Sequence, residues 1–189
     1  MLPIVQFSPP RSGSTLCYNA IKWIVPERRI EKAHKLKYKY LICPVITTVR
    51  DPYDSVVSFA QTRGDRLTDE NVVWGANEIR RGWSHLERMK FFPRVLMLPY
   101  ERFLNDHDYL LDEISAFLGV SLSEERREAF KQEFDAQGLR EKTKGRRFKE
   151  VDSETQLHGS HISSDLGALG KGDILTPLQR EIVQDILQL

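Results

Sequence analysis

Residues Ser8 to Leu16 read Ser-Pro-Pro-Arg-Ser-Gly-Ser-Thr-Leu and lie between an apolar stretch (Ile4, Val5, Phe7) and a segment whose apolar residues begin at Leu16. This is the composition of a turn joining a strand to a helix. Glycine lets the chain reverse tightly, and the first N–H groups of a helix have no partners within it and point outward. The hydroxyls of Ser12, Ser14 and Thr15 add donors, and Arg11 brings a permanent charge on a planar fork suited to phosphate or sulfate oxygens. The turn reads as a trap for a phosphate-like anion. It is not a Gly-x-x-x-x-Gly-Lys-[Ser/Thr] loop, because Ser8 stands at the first glycine and Ser14 at the lysine.

A second stretch repeats the pattern. Pro44 to Val49 is apolar and β-branched, and runs into Arg50-Asp51-Pro52-Tyr53-Asp54-Ser55-Val56-Val57-Ser58. Pro52 suits the first turn of a helix and Asp51 its N-cap, so Arg50 sits where a strand ends and another helix begins. Ser58 follows Arg50 by eight residues. Both side chains reach one anion only if Arg50 folds back over the helix, and together they suggest a second phosphate site.

These two stretches resemble the sulfotransferase family, in its soluble or bacterial forms. Pro10-Arg11-Ser12-Gly13-Ser14-Thr15-Leu16 looks like the family's 5′-phosphosulfate loop, and Arg50-Asp51-Pro52 with Ser58 looks like its 3′-phosphate motif. Val95-Leu96-Met97-Leu98-Pro99-Tyr100-Glu101 is similar to its strand ending in Tyr-Glu, and Phe117-Leu118-Gly119-Val120 to a later helix end. The matches fall in family order from residue 4 to about 122.

Around these motifs the chain alternates strands with helices. Strands are expected near residues 3–7, 29–34, 45–49 and 94–98, which predicts a P-loop-like three-layer α/β/α fold with a central parallel sheet. Val72, Ala76, Ile79, Trp83 and Leu86 recur at helical spacing, as do Leu110, Leu111, Ile114, Phe117 and Leu118 before a Gly119 C-cap. Glu124 to Phe134 reads as a charged surface helix, and Thr176-Pro177-Leu178-Gln179 as a helix start with a capping box. Residues 138 to 175 are the least regular part.

Composition narrows the classes. A chain of 189 residues with 40% hydrophobic content is long enough for one domain with a full core. Its 28 basic and 27 acidic residues leave a formal charge of +1, so no global field favours nucleic acid or an anionic membrane. Cys17 and Cys43 lack metal-ligand spacing and suggest no disulfide framework. With no apolar run near the length of a membrane span and no signal-peptide pattern, a cytoplasmic location is the expectation. The His158-x-x-His161 pair is read as incidental, with His161 a candidate for lining an acceptor pocket.

The resemblance implies the chemistry. The sulfuryl donor would be 3′-phosphoadenosine 5′-phosphosulfate (PAPS), leaving adenosine 3′,5′-bisphosphate (PAP), and no metal is required. The donor would be held by Arg11, Ser12, Gly13, Ser14, Thr15 and Leu16 at its 5′ end and by Arg50 and Ser58 at its 3′-phosphate, with Tyr100 against the adenine. Arg11 would neutralise charge on the oxygen that leaves sulfur. The acceptor is a hydroxyl on a small molecule, glycan or peptide.

Ile30-Glu31-Lys32-Ala33-His34 looks like the family's Lys-Thr-His strand with Ala33 in place of threonine, which makes His34 the general base and Lys32 a second cation. Glu31 is the rival base, and strand alternation sends the two to opposite faces. A basic glycine-containing loop closes over the 3′-phosphate in the family; here Lys171 and Arg146 are the candidates, and Ile174 stands where a tryptophan is expected. Two alternatives remain: a P-loop phosphotransferase using a nucleoside triphosphate with magnesium, for which Asp51 is the nearby acid, and a non-catalytic domain that binds PAP.

Overall fold

The structure, a computed structural model, describes residues 2–33, 37–63, 67–89, 91–143, 150–157 and 167–189. His34, the basic run Lys144 to Arg147 with Arg146, and the pair His158 and His161 lie outside the described residues. In chain order the elements are β1 (Ile4–Phe7), α1 (Ser14–Ile24), β2 (Ile30–Ala33), β3 (Val45–Val49), α2 (Pro52–Ala60), α3 (Asp69–Met89), β4 (Val95–Pro99), α4 (Tyr100–Phe103), α5 (His107–Leu118), α6 (Glu124–Glu133), α7 (Ala136–Thr143) and α8 (Pro177–Leu187), with 3-10 turns at Tyr38–Ile42, Gln61–Arg63 and Lys171–Ile174.

The four strands form one parallel sheet in the order β2-β1-β3-β4. Every residue of β1 is buried, as expected of a central parallel strand covered on both faces. Alternation divides the strands between two cores. Ile4, Ile46 and Leu98 point to the α1 and α5 side, where they meet Cys17, Ile21, Leu110 and Ile114. Val5, Phe7 and Val45 point the other way, to Leu86 and Met89 of α3. Beyond them Val56, Val57, Val72, Ala76 and Ile79 pack α2 against α3, and Val183 and Leu187 add α8. The result is the three-layer α/β/α arrangement expected from the alternation of elements.

The helix ends follow the sequence chemistry. Asp51 caps α2 by accepting from Asp54 N at 2.9 Å, with Pro52 in the first turn. Thr176 and Gln179 form the capping box of α8, and Gly119 closes α5 in the left-handed region at φ 68°. One stretch departs from expectation. Part of the segment expected to be irregular is α7, started by Asp135, whose carboxylate accepts from Gly138 N at 2.9 Å, and held by the buried Leu139 and Thr143.

The register matters for function. Phe7 pairs with Ala33 and with Thr47, so the carboxyl ends of β2, β1 and β3 lie side by side. Pairing continues from Val49 to Pro99 of β4. The Ser8–Gly13 turn, Arg50 and Tyr100 therefore all leave the same edge of the sheet, the edge at which open α/β sheets bind ligands.

Candidate active site at the carboxyl edge of the sheet

Gly13 precedes α1 with φ 78°, and Arg11 also adopts a positive φ of 65°. A Cβ on Gly13 would lie 2.7 Å from Tyr100 Cδ2 and 2.8 Å from the Phe103 ring. Glycine is needed there both for its conformation and for the approach of two aromatic rings. On the other side, Gly82 of α3 lets the helix pack against Pro9, where a Cβ would sit 2.7 Å from Pro9 Cα.

Buried hydroxyls tie this turn to β3. Ser8 Oγ accepts from Thr48 N at 3.0 Å and lies 2.8 Å from Thr48 Oγ1, and Ser12 Oγ donates to Pro9 O at 2.7 Å while contacting Thr48 Oγ1 at 2.8 Å. The Ser12 hydroxyl, expected from the sequence to face an anion, is thus engaged inside the turn. Thr48, which sequence reasoning passed over as a strand residue, is the hub. Ser14 and Leu16 sit half-buried in the first turn of α1, and Thr15 is buried.

Arg50 folds back along α2, the condition under which it and Ser58 could reach one anion. Its Nη2 lies 3.4 Å from Asp54 Oδ2, one helical turn on, and its Nη1 donates to Arg11 O at 3.2 Å. Arg11 Nε donates to Ser58 Oγ at 3.1 Å. The two turns are therefore joined at two points, and Arg11 links Arg50 to Ser58. The Arg50 guanidinium also lies 4.5 Å over the Tyr100 ring. Only 3% of Arg50 is exposed, and its Nε has no hydrogen-bond partner.

The segment after residue 167 closes over this centre. Arg50 Nη2 donates to Ala168 O at 2.8 Å, and the Tyr100 hydroxyl donates to Gly167 O at 3.0 Å. Gly170 N and Gly172 N donate to Asp54 Oδ2 and Oδ1 at 3.0 and 2.8 Å. Lys171, between them, is buried and donates to Gln61 Oε1 at 3.2 Å. Asp54 was not singled out from the sequence; its one signal was its place four residues after Arg50 on a helix.

The two faces of β2 separate its charges. Lys32 turns toward α1, where Nζ donates to Thr15 Oγ1 at 3.0 Å, and burial holds its ammonium down to about 8. Glu31 faces the opposite layer. It accepts from Tyr40 Oη at 2.5 Å and pairs with Lys39 at 2.9 Å, and the Tyr40 hydrogen bond, then that from Lys39, hold its carboxyl below the usual range. Burial first, then the neighbouring carboxylate, push the Tyr40 phenol up to about 12. Beneath the turn, burial drives the Cys17 thiol up to about 12, against the opposing pull of Lys32.

Among the described residues, no helix is long and apolar enough to cross a membrane. A three-layer α/β/α fold around one parallel sheet, with a glycine turn opening α1 and basic side chains gathered at the sheet's carboxyl edge, defines a nucleotide-type α/β protein. The sulfotransferase domain model matches residues 25–188, and the chain belongs to that family. The Ser8–Leu16 turn precedes the matched region; the structural likenesses extend over it.

The structure resembles mouse sulfotransferase SULT7A1 complexed with PAP, at 19% identity over 97% of this chain and 81% of that one, with a TM-score of 0.70. It also resembles retinol dehydratase in complex with androsterone and inactive cofactor PAP, at 15% identity over 100% and 81% of the two chains, TM-score 0.70. A sulfotransferase domain from the curacin biosynthetic pathway matches at 13% identity over 99% and 97%, TM-score 0.56. At these identities the likeness concerns the fold. A comparison with curated proteins finds no matching sequence.

Proposed function

We propose that this chain transfers a sulfuryl group from PAPS to an acceptor hydroxyl, as a single domain. The observation that carries the reading is the state of Arg50: a cation almost sealed from water, aimed at the Arg11 turn, with one N–H left without a protein acceptor. Buried donors are nearly always satisfied, and an anionic oxygen beside Arg50, Arg11 and Ser58 fits that need. The 3′-phosphate of the donor nucleotide would be held there, with Lys171 beside it. The 5′ end would meet the α1 N-terminus, where the first N–H groups have no intrahelical partners and Gly13 keeps Cβ bulk away.

When bound, the donor supplies an activated sulfuryl group on a phosphosulfate; the chain supplies position and charge. Arg11 and Lys32 flank the start of α1 and stabilise negative charge that develops on the leaving oxygen. The acceptor hydroxyl must give up a proton. The partners of Glu31 hold it as a carboxylate of reduced basicity on the far face of β2, which supports His34 as the base. The acceptor is a hydroxyl on a small molecule, glycan or peptide.

Calorimetry without magnesium tests the donor assignment. PAP should bind at least tenfold more tightly than ATP, about 1.4 kcal/mol; tighter binding of ATP that requires magnesium would favour a phosphotransferase instead. Turnover of PAPS against a panel of alcohols, phenols and sugars, lost in His34→Ala, tests the transfer step.

A further inference from the structure

We propose that Asp54 is a positioning residue that holds Lys171 and the Gly167–Gly172 segment over the 3′-phosphate position, so that recognition of the 3′-phosphate depends on a carboxylate that does not touch it. This inference rests on the functional reading above and extends it to the control of donor selectivity. Asp54 is 4% exposed, and its two oxygens receive three donors: Gly172 N on Oδ1, Gly170 N and Arg50 Nη2 on Oδ2. The two amides flank Lys171 on either side.

The segment seats directly on the first turn of α2. A Cβ on Gly172 would lie 2.5 Å from Tyr53 Cβ and 3.3 Å from Asp54 N, and Gly170 holds φ 74°. From that anchorage Lys171 runs along α2 to Gln61. Ser58 lies four residues after Asp54 and three before Gln61, on the same side of the helix, and it receives Arg11 Nε. One side of α2 thus meets three cations in turn, Arg50 at Asp54, Arg11 at Ser58 and Lys171 at Gln61, with Asp54 the carboxylate among them. The cations repel one another, and Asp54 both offsets part of that charge and fixes where two of them stand. A doubly charged phosphate completes the balance; a ligand without it does not.

Affinities for PAP and for adenosine 5′-monophosphate, measured by calorimetry on the wild type, Asp54→Asn, Lys171→Ala and the double variant, test the proposal. Asp54→Asn should weaken PAP binding roughly 10- to 100-fold and leave the monophosphate within about threefold. The double variant should bind PAP within about threefold of the weaker single variant. Unchanged PAP affinity in Asp54→Asn, equal loss for both nucleotides, or fully additive losses would overturn it. A wild type without preference for PAP would instead defeat the functional reading beneath it. If Asp54→Asn fails to fold, amide exchange of the wild type decides: PAP but not the monophosphate should slow Gly170 and Gly172, and equal slowing by both would overturn the proposal.

Discussion

Arg50 and Asp54 are paired at 3.4 Å with side chains only 2% and 6% exposed, whereas in the pairs between α5 and α6 the aspartates stand in water: Arg127, 18% exposed, meets Asp112, 63% exposed, at 2.5 Å, and Lys131, 30% exposed, meets Asp108, 49% exposed, at 3.0 Å. By distance alone the surface set looks the stronger. The buried set differs in its other partners, since Arg50 and Asp54 reach the backbone of the Ser8–Gly13 turn and of the segment after residue 167. The surface charges join one helix to its neighbour. Burying an ion pair gains little net stability, so a sealed pair stitched to two other chain segments at a sheet edge is better explained by positioning than by stability.

The comparison breaks first at Arg50. Arg50→Ala leaves Asp54 buried without its countercharge, at an expected cost of about 3–5 kcal/mol by denaturant titration; a cost within 1 kcal/mol would mean that the pair behaves like a surface one. Gly13→Ala should cost about 2–4 kcal/mol, because the new methyl meets Tyr100 and Phe103 while the backbone stays at positive φ. At the small end, Arg127→Ala should cost less than about 1 kcal/mol, and PAP affinity should stay within about twofold of the wild type.

Lys32 sharpens the comparison through pH. Its folded pKa of about 8 lies below the free value of 10.5, so the folded state disfavours the ammonium below about pH 8 and is relieved as pH rises from there toward 10.5. Stability should therefore rise over that window. PAP affinity should fall over the same window as the cation beside Thr15 is lost, and Lys32→Arg should flatten that binding profile. A wild-type profile with no inflection near pH 8 would remove Lys32 from the 5′ site.

Much of this molecule was legible from residues alone. The β-branched and apolar runs place the four strands to within a residue or two, and Pro52, Gly119 and Thr176 mark their helices because their local chemistry acts within a turn. The Arg50 to Ser58 spacing set only a condition, that Arg50 fold back over α2 if both were to reach one anion. What was hidden depended on distant partners. The sheet order β2-β1-β3-β4 arises from crossovers that no local pattern records. Thr48 and Asp54 look like an ordinary strand residue and an ordinary helix residue until the chain brings Ser12 and Gly172 to them. The hydroxyl of Ser12 was assigned outward from its type alone, and only the fold reveals its engagement with Pro9 and Thr48. α7 escaped because a single buried leucine and Thr143 give too little periodicity.

The central claim is that the two βα turns hold opposite ends of one adenosine nucleotide, and Arg50→Lys tests it most directly because it keeps the charge while removing the planar fork. Calorimetry should find PAP bound at least tenfold more weakly by Arg50→Lys than by the wild type, with adenosine 5′-monophosphate changed by less than about threefold. Equal weakening of the two nucleotides, or none for either, would contradict the account.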